Sequence, residues 1–147
     1  MKRNRFVFVM PAYNASETIA RSIMSVWFQT HDNWKIIIRD DCSTDGTPEV
    51  VENIKSQLGL GNDRVSLTVN TEKHWEIKNI VEALKECESD DIICRLDGDD
   101  WLCDSDALSI IDHRYRTTEC NVLCSGELTE NRLLLLSPAI CVYMSEL

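Results

Sequence analysis

The regular alternation of short apolar runs with segments of helical periodicity is the feature that most constrains the fold. Strand-like runs occur at Phe6–Met10, Trp34–Arg39, Val65–Val69 and Asp91–Leu96. The segments between them repeat apolar residues every three or four positions, as amphipathic helices do. This order of strands and helices favours an α/β fold with a mostly parallel sheet flanked by helices. Ligands of such sheets bind beyond the carboxyl ends of the strands.

Each of the three predicted helices is expected to pack one apolar stripe against the sheet. The first strand is expected to end at Pro11, because proline has no N–H to donate to a neighbouring strand. The fourth strand is expected to be buried, since it is short and apolar. The apolar helix positions are Ile19, Ile23, Val26 and Trp27, then Val51, Ile54 and Leu58, then Ile77, Ile80, Val81 and Leu84.

Polar groups of unusual kind follow three of the four predicted strands. Parallel strands end at the same edge of a sheet, so we expect these groups to face one crevice. They are Tyr13 and Asn14 after the first strand, Asp40 and Asp41 after the second, and Asp97, Asp99 and Asp100 after the fourth.

The three acids after the fourth strand favour a metal site. Carboxylates two residues apart can converge on one hard cation, whereas without a cation or hydrogen-bond donors their charges would repel. Gly98 lets the backbone turn sharply between them. A solvated acidic turn is the alternative. A calcium loop is disfavoured, because Gly98 lies between the first two acids and no glutamate closes the loop.

Composition excludes several classes of protein. The chain has 147 residues, which is suited to one domain, and a net charge of -10, which argues against nucleic-acid binding. No apolar run is long enough to span a bilayer, so no transmembrane segment is predicted. The seven cysteines include no Cys-x-x-Cys pair. An odd, scattered set favours reduced thiols and therefore a cytoplasmic location.

The pattern is weaker after Trp101. Asp104 or Ser105 could cap a helix whose apolar side includes Leu108, Ile111 and Tyr115. Residues Asn121–Cys124, and a segment around Leu133–Leu136, could each form a further strand.

Four stretches of this chain, taken together, resemble the amino-terminal half of a family 2 glycosyltransferase of the GT-A fold. The resemblance covers roughly the first hundred residues, with 1–103 well matched and 104–147 poorly matched, and it implies a single, truncated GT-A domain over 1–147. The matching stretches are Val9–Asn14, Ile19 with Ser22–Val26 and Gln29–Thr30, Ile36–Thr47, and Asp91–Leu102 without its central residues.

The resemblance implies a reaction and a set of site residues. Members of the family transfer a sugar from a nucleotide diphosphate donor, most commonly UDP-linked, to a hydroxyl acceptor with inversion. Asp97-Gly98-Asp99 resembles the family's Asp-x-Asp motif. By resemblance, the nucleotide-binding residues include Pro11, Ala12 and Tyr13, which line the base pocket, and Asp41 with Asp40, which would hydrogen-bond the base. Asp97 or Asp99 would hold the ribose or metal-bound waters. The ligands of a Mn²⁺ or Mg²⁺ ion would come from Asp97, Asp99 and Asp100.

Two departures keep other functions open. The family's general base lies in a later acceptor-binding half, and no residue here matches it, since Glu127 and Glu130 come too early. Of the family's segment before the metal strand, this chain keeps only Asn79. The alternatives are a truncated module that binds nucleotide and metal without catalysis, and a structural α/β domain without a ligand.

Overall fold

The computed structural model describes residues 3–117 and, beyond them, the backbone of three short strands. The strands are β1 (Phe6–Ala12), β2 (Trp34–Asp40), β3 (Val65–Val69), β4 (Ile92–Arg95), β5 (Trp101–Leu102), β6 (Gly126–Thr129), β7 (Arg132–Leu133) and β8 (Val142–Met144). The helices are α1 (Ile19–Trp27), α2 (Thr47–Leu58), α3 (Trp75–Leu84) and α4 (Ala107–Thr117). Four of the strands form one sheet in the order β3-β2-β1-β4, and every neighbouring pair is parallel, which confirms the predicted sheet.

The core lies on both faces of the two central strands, because successive side chains of a strand point to opposite faces. Phe6, Phe8 and Met10 of β1 pack with buried side chains of α1, α2 and α4. Val7 and Val9 pack on the opposite face with Ala83 of α3. The sheet is therefore the middle of three layers, with helices packed against both of its faces.

Strand β1 continues through Pro11, where the sequence predicted an end. Pro11 keeps its register with Arg39 of β2, and its carbonyl accepts a hydrogen bond from the Gly98 N–H at 3.2 Å. The missing proline N–H is tolerated because Pro11 lies near the end of the strand, where its carbonyl makes the hydrogen bond.

Strand β4 is an edge of the described sheet, so the prediction that it is buried was wrong. Its only described neighbour is β1, and 42% of Ile93 is exposed. An edge strand covers its side chains less completely than a central one does.

Helix α3 forms as predicted, but of its four predicted apolar positions only Ile80 packs against the core, and the other three face solvent. Ile77 is 78% exposed, and Val81 and Leu84 are also exposed, whereas Asn79 and Ala83 are buried against the sheet. Backbone N–H groups at the start of the helix donate to Asp41, so the helix is anchored by polar contacts as well as by apolar packing.

A second, smaller sheet has the order β5-β8-β6-β7. Pairing is antiparallel between β5 and β8 and between β6 and β7, and parallel between β6 and β8. Helix α4 confirms the helix predicted after Ser105, while the strand predicted at Asn121–Cys124 lies outside the described residues. Within the described part of the chain, every helix is too short or too polar to cross a membrane.

Candidate functional site

An open cavity of about 310 Å³ lies at the carboxyl ends of β1, β2 and β4. We call it the strand-end cavity. It brings together six of the eight residues predicted to form the site, which come from three separate parts of the chain. Its lining consists of Pro11, Ala12, Tyr13, Asn14, Ala15, Asp41, Lys73, Trp75, Glu76, Asn79, Asp97, Gly98 and Asp99.

The turn after β1 is locked to the turn after β2. The Asn14 N–H donates to Ser43 Oγ at 2.8 Å, and Asn14 Oδ1 accepts from the Thr44 N–H at 2.9 Å. The Ala15 N–H donates to Thr47 Oγ1 at 2.8 Å. These bonds hold Tyr13 at the cavity, where 53% of its surface is exposed.

Asp41 is a buried carboxylate that accepts hydrogen bonds from two backbone N–H groups where α3 begins. Its Oδ1 accepts from the His74 N–H at 2.7 Å and from Asn70 Nδ2 at 2.9 Å, and its Oδ2 accepts from the Trp75 N–H at 3.0 Å. Burial opposes ionisation, but these hydrogen bonds outweigh it and lower the pKa of Asp41 to about 2. Asp41 is therefore ionised at neutral pH, and it positions the segment that closes one side of the cavity.

Asp40, its neighbour in sequence, does not line the cavity. The residue is fully buried, and its Oδ2 accepts a hydrogen bond from the Ser43 N–H at 2.9 Å. Asp40 therefore shapes the turn after β2, and its contact with a base stays a prediction.

We call Asp97, Gly98, Asp99 and Asp100 the acid loop, and α1 holds it in place. The Gly98 carbonyl accepts hydrogen bonds from Thr18 Oγ1 at 2.9 Å and Ser22 Oγ at 3.0 Å. A Cβ added at Gly98 would lie 3.2 Å from the Ala12 Cβ, so a side chain there would push the loop away from β1. This close approach favours glycine at position 98.

The three carboxylates of the acid loop converge. Asp97, Asp99 and Asp100 each offer an oxygen, and these oxygens lie within 4.8 Å of one another. Asp100 belongs to this cluster although it does not line the cavity. A set of carboxylate oxygens suits Mg²⁺ or Mn²⁺, which prefer hard ligands, so the donor set fits the predicted cation.

Two basic side chains lie against predicted site residues. Lys73 Nζ lies 2.7 Å from the centroid of the Tyr13 ring and 3.9 Å from Asp41 Oδ2. Arg95 donates to both oxygens of Asp97, from Nε at 2.9 Å and from Nη2 at 2.7 Å. Sequence reasoning assigned no role to either residue.

The backbone is strained around the cavity. Asn14, Cys42 and Trp75 all have positive φ, at 50°, 62° and 60°, and they are the only described residues other than glycine that do. Such conformations are costly and cluster at functional sites. The strain at Trp75 accompanies the turn that lets Asp41 accept two successive N–H groups.

Sequence reasoning missed the wall formed by Lys73, Trp75 and Glu76. The polar segment after β3 has neither helical nor strand periodicity, so the sequence predicts no role for it. The signal available was one aromatic residue next to charged residues shortly before a helix, which is common in loops and does not identify a site.

Solved structures with the same arrangement are GT-A glycosyltransferases. Staphylococcus aureus TarS 1–349 in complex with UDP superposes with a TM-score of 0.72 at 19% identity, covering 88% of this chain and 38% of that one. The mannosyltransferase PcManGT from Pyrobaculum calidifontis, in complex with GDP-Man and Mn²⁺, has a TM-score of 0.67 at 22% identity, covering 74% and 31%. This chain therefore has the predicted GT-A fold.

The sequence matches the family described as glycosyl transferase family 2 over residues 7–126, and the chain belongs to that family. It is 36% identical over 95 residues to EpsE of Bacillus subtilis (strain 168), covering 63% of this chain and 32% of EpsE. It is 37% identical over 95 residues to the UDP-Glc:alpha-D-GlcNAc-diphosphoundecaprenol beta-1,3-glucosyltransferase WfgD of Escherichia coli, covering 64% and 35%. The chain spans about a third of the length of these relatives.

Proposed function

We propose that the chain binds a nucleotide diphosphate sugar, UDP-linked in the first instance, together with Mn²⁺ or Mg²⁺, and transfers the sugar to a hydroxyl acceptor with inversion. One observation carries the proposal: an exposed aromatic ring, an ionised carboxylate and two acids of the acid loop meet at one cavity, and Asp100 lies close to those two acids. The complexes of TarS with UDP and of PcManGT with GDP-Man and Mn²⁺ support it from proteins of the same fold.

The two ends of the cavity suit the two ends of a nucleotide. Tyr13 offers a ring on which a base can stack, with Pro11 and Ala12 beside it, and Asp41 offers an acceptor for a base N–H. Lys73 now covers the Tyr13 ring, so a stacking base would displace its ammonium group. Asp97 belongs to the acid loop and lines the cavity, so a ribose or a cation could contact it.

Charge explains why a cation would be needed. The charged residues lining the cavity are four carboxylates and one lysine: Asp41, Glu76, Asp97, Asp99 and Lys73. A diphosphate would be repelled by this surface unless a positive charge accompanied it. A bound divalent cation would supply that charge and would stabilise the negative charge that develops on the diphosphate leaving group. The acid loop residues Asp97, Asp99 and Asp100 would hold it.

A nucleotide- and metal-binding module without turnover is the second candidate. It is favoured by the length comparison, because the chain spans only about a third of the length of these relatives. We assign no general base to this chain. The cytoplasmic location stays a prediction.

Calorimetric titration of UDP and of GDP, each with and without Mn²⁺, tests the proposal. We expect UDP to bind in the presence of Mn²⁺, and Asp99→Asn to weaken that binding by at least about tenfold. Asp63→Asn is the matched control, since this exposed carboxylate lies before β3, at the opposite edge of the sheet.

The outcomes separate the two candidates. Folded protein that binds neither nucleotide with Mn²⁺ present would refute both. Metal-dependent binding followed by sugar transfer, or by slow hydrolysis of a UDP-sugar, would support the enzyme. Metal-dependent binding without either reaction, over a panel of UDP-sugars, would favour the module.

A further inference from the structure

Arg95 lies beside the acid loop and forms hydrogen bonds with one of its carboxylates. Arg95 is the last residue of β4. Its guanidinium forms a bidentate ion pair with Asp97, from Nε to Oδ1 at 2.9 Å and from Nη2 to Oδ2 at 2.7 Å. Its Nη2 also lies 2.7 Å from Glu76 Oε1, in the first turn of α3. One guanidinium group thus joins two carboxylates of the cavity wall that come from different parts of the chain.

We propose that Arg95 is a resident counter-cation for Asp97, which a divalent cation must displace to gain that carboxylate as a ligand. This inference rests on the proposed function, because it presumes that the acid loop binds a metal. Arg95 is a positioning residue in this proposal, since it acts on the metal site through Asp97.

The geometry makes the competition direct. Both oxygens of Asp97 accept hydrogen bonds from Arg95, so no oxygen of this carboxylate is free of the guanidinium. Two-pronged pairs of arginine with carboxylate are the stronger and more specific kind. A cation that uses Asp97 as a ligand must therefore break at least one of these bonds.

Glu76 can remain an ion-pair partner of Arg95 after Asp97 is displaced. The Arg95–Glu76 bond does not involve the acid loop, so it can persist when Asp97 turns toward a cation. The guanidinium would then stay at the cavity wall instead of moving into solvent. About half of the Arg95 side chain is already exposed, so a small rotation meets little obstruction.

Binding of Mn²⁺ alone to the full chain, measured by the loss of the electron paramagnetic resonance signal of free Mn²⁺, tests the proposal. We expect Arg95→Met to bind Mn²⁺ about fivefold more tightly than wild type, because a competing charge close to the site is removed. Arg95→Lys keeps the charge and loses the two-pronged bond, so its gain should be smaller. A role in stability alone would weaken binding or leave it unchanged.

Two comparisons isolate the local effect. Arg64→Met makes the same change in net charge at the opposite edge of the sheet, where Arg64 lies over the Trp34 ring, and should alter affinity by less than about twofold. In an Asp97→Asn background, Arg95→Met should also raise the affinity for Mn²⁺ by less than about twofold, because the carboxylate for which Arg95 and the cation compete is absent.

The proposal is overturned if folded Arg95→Met binds Mn²⁺ no more tightly than wild type, or if the gain is as large without the Asp97 carboxylate. In that case metal-dependent UDP binding by wild type would leave the proposed function standing. If neither wild type nor Arg95→Met binds Mn²⁺ or UDP, both proposals fall together.

Discussion

The substitution Asp41→Asn tests whether one carboxylate organises the wall of the strand-end cavity. Hydrogen bonds from the start of α3 lower the pKa of Asp41 from 3.8 to about 2. At roughly 1.4 kcal/mol per pKa unit, the ionised form adds about 2 kcal/mol to the free energy of unfolding at pH 7. An asparagine keeps one acceptor and loses the charge, so we expect Asp41→Asn to unfold more easily by about that amount.

The pH dependence follows from the direction of the shift. Because the pKa in the folded state lies below its ordinary value, the added stability is fully present above about pH 5 and is lost as pH falls through 2. Roughly half of the difference between wild type and Asp41→Asn should remain at pH 3. Urea unfolding followed by circular dichroism at several pH values from 7 to 3 measures it.

Asp63→Asn is the control, since it removes an exposed carboxylate remote from α3. The reasoning would be refuted if Asp41→Asn lowered the free energy of unfolding at pH 7 by less than about 0.5 kcal/mol, or if its effect did not shrink as the pH fell. Either result would mean that the hydrogen bonds at the start of α3 do not favour the charged form.

Three further perturbations have defined outcomes. Tyr13→Ala should weaken UDP binding about tenfold in calorimetry while Tyr13→Phe retains it, and equal losses would argue against stacking. Gly98→Ala should lower the free energy of unfolding by about 1 kcal/mol in urea, because its Cβ would meet the Cβ atoms of Ala12 and Ala15 at 3.2 and 3.3 Å, and unchanged stability would contradict this crowding. Burial lowers the pKa of His31 below 6.5, so wild type should lose stability in urea as pH falls from 7 to 5, whereas His31→Gln should show a flatter profile; parallel profiles would exclude His31 as the cause.

The order of elements and the residues at the strand ends could be predicted from sequence. Both depend on local patterns, since strands and helices differ in the spacing of their apolar residues. Parallel strands place their ends at one edge whatever the details of packing, so Tyr13, Asp41 and the acid loop were expected together before the structure placed them at one cavity. The family and the GT-A fold were likewise predicted and are confirmed.

Which side of an element meets the core could not be predicted so well. Asp40 and Asp41 are adjacent and chemically the same, yet one is buried in a turn and the other reaches the cavity, because successive residues point in opposite directions. For α3, the apolar stripe at Ile77 predicted the wrong face. Hydrogen bonds to Asp41 anchor the start of this helix, and that contact joins residues more than thirty positions apart.

The sequence by itself determined the parallel α/β arrangement, the strand-end location of the site and the kinds of side chain present there, because these follow from periodicity and chain order. Only the tertiary structure decided the pairings: Lys73 on the Tyr13 ring, and Arg95 between Asp97 and Glu76. A charged side chain can reach several partners within its length, and the choice among them depends on which elements the fold brings near. That choice decides which charged groups are paired at the strand-end cavity.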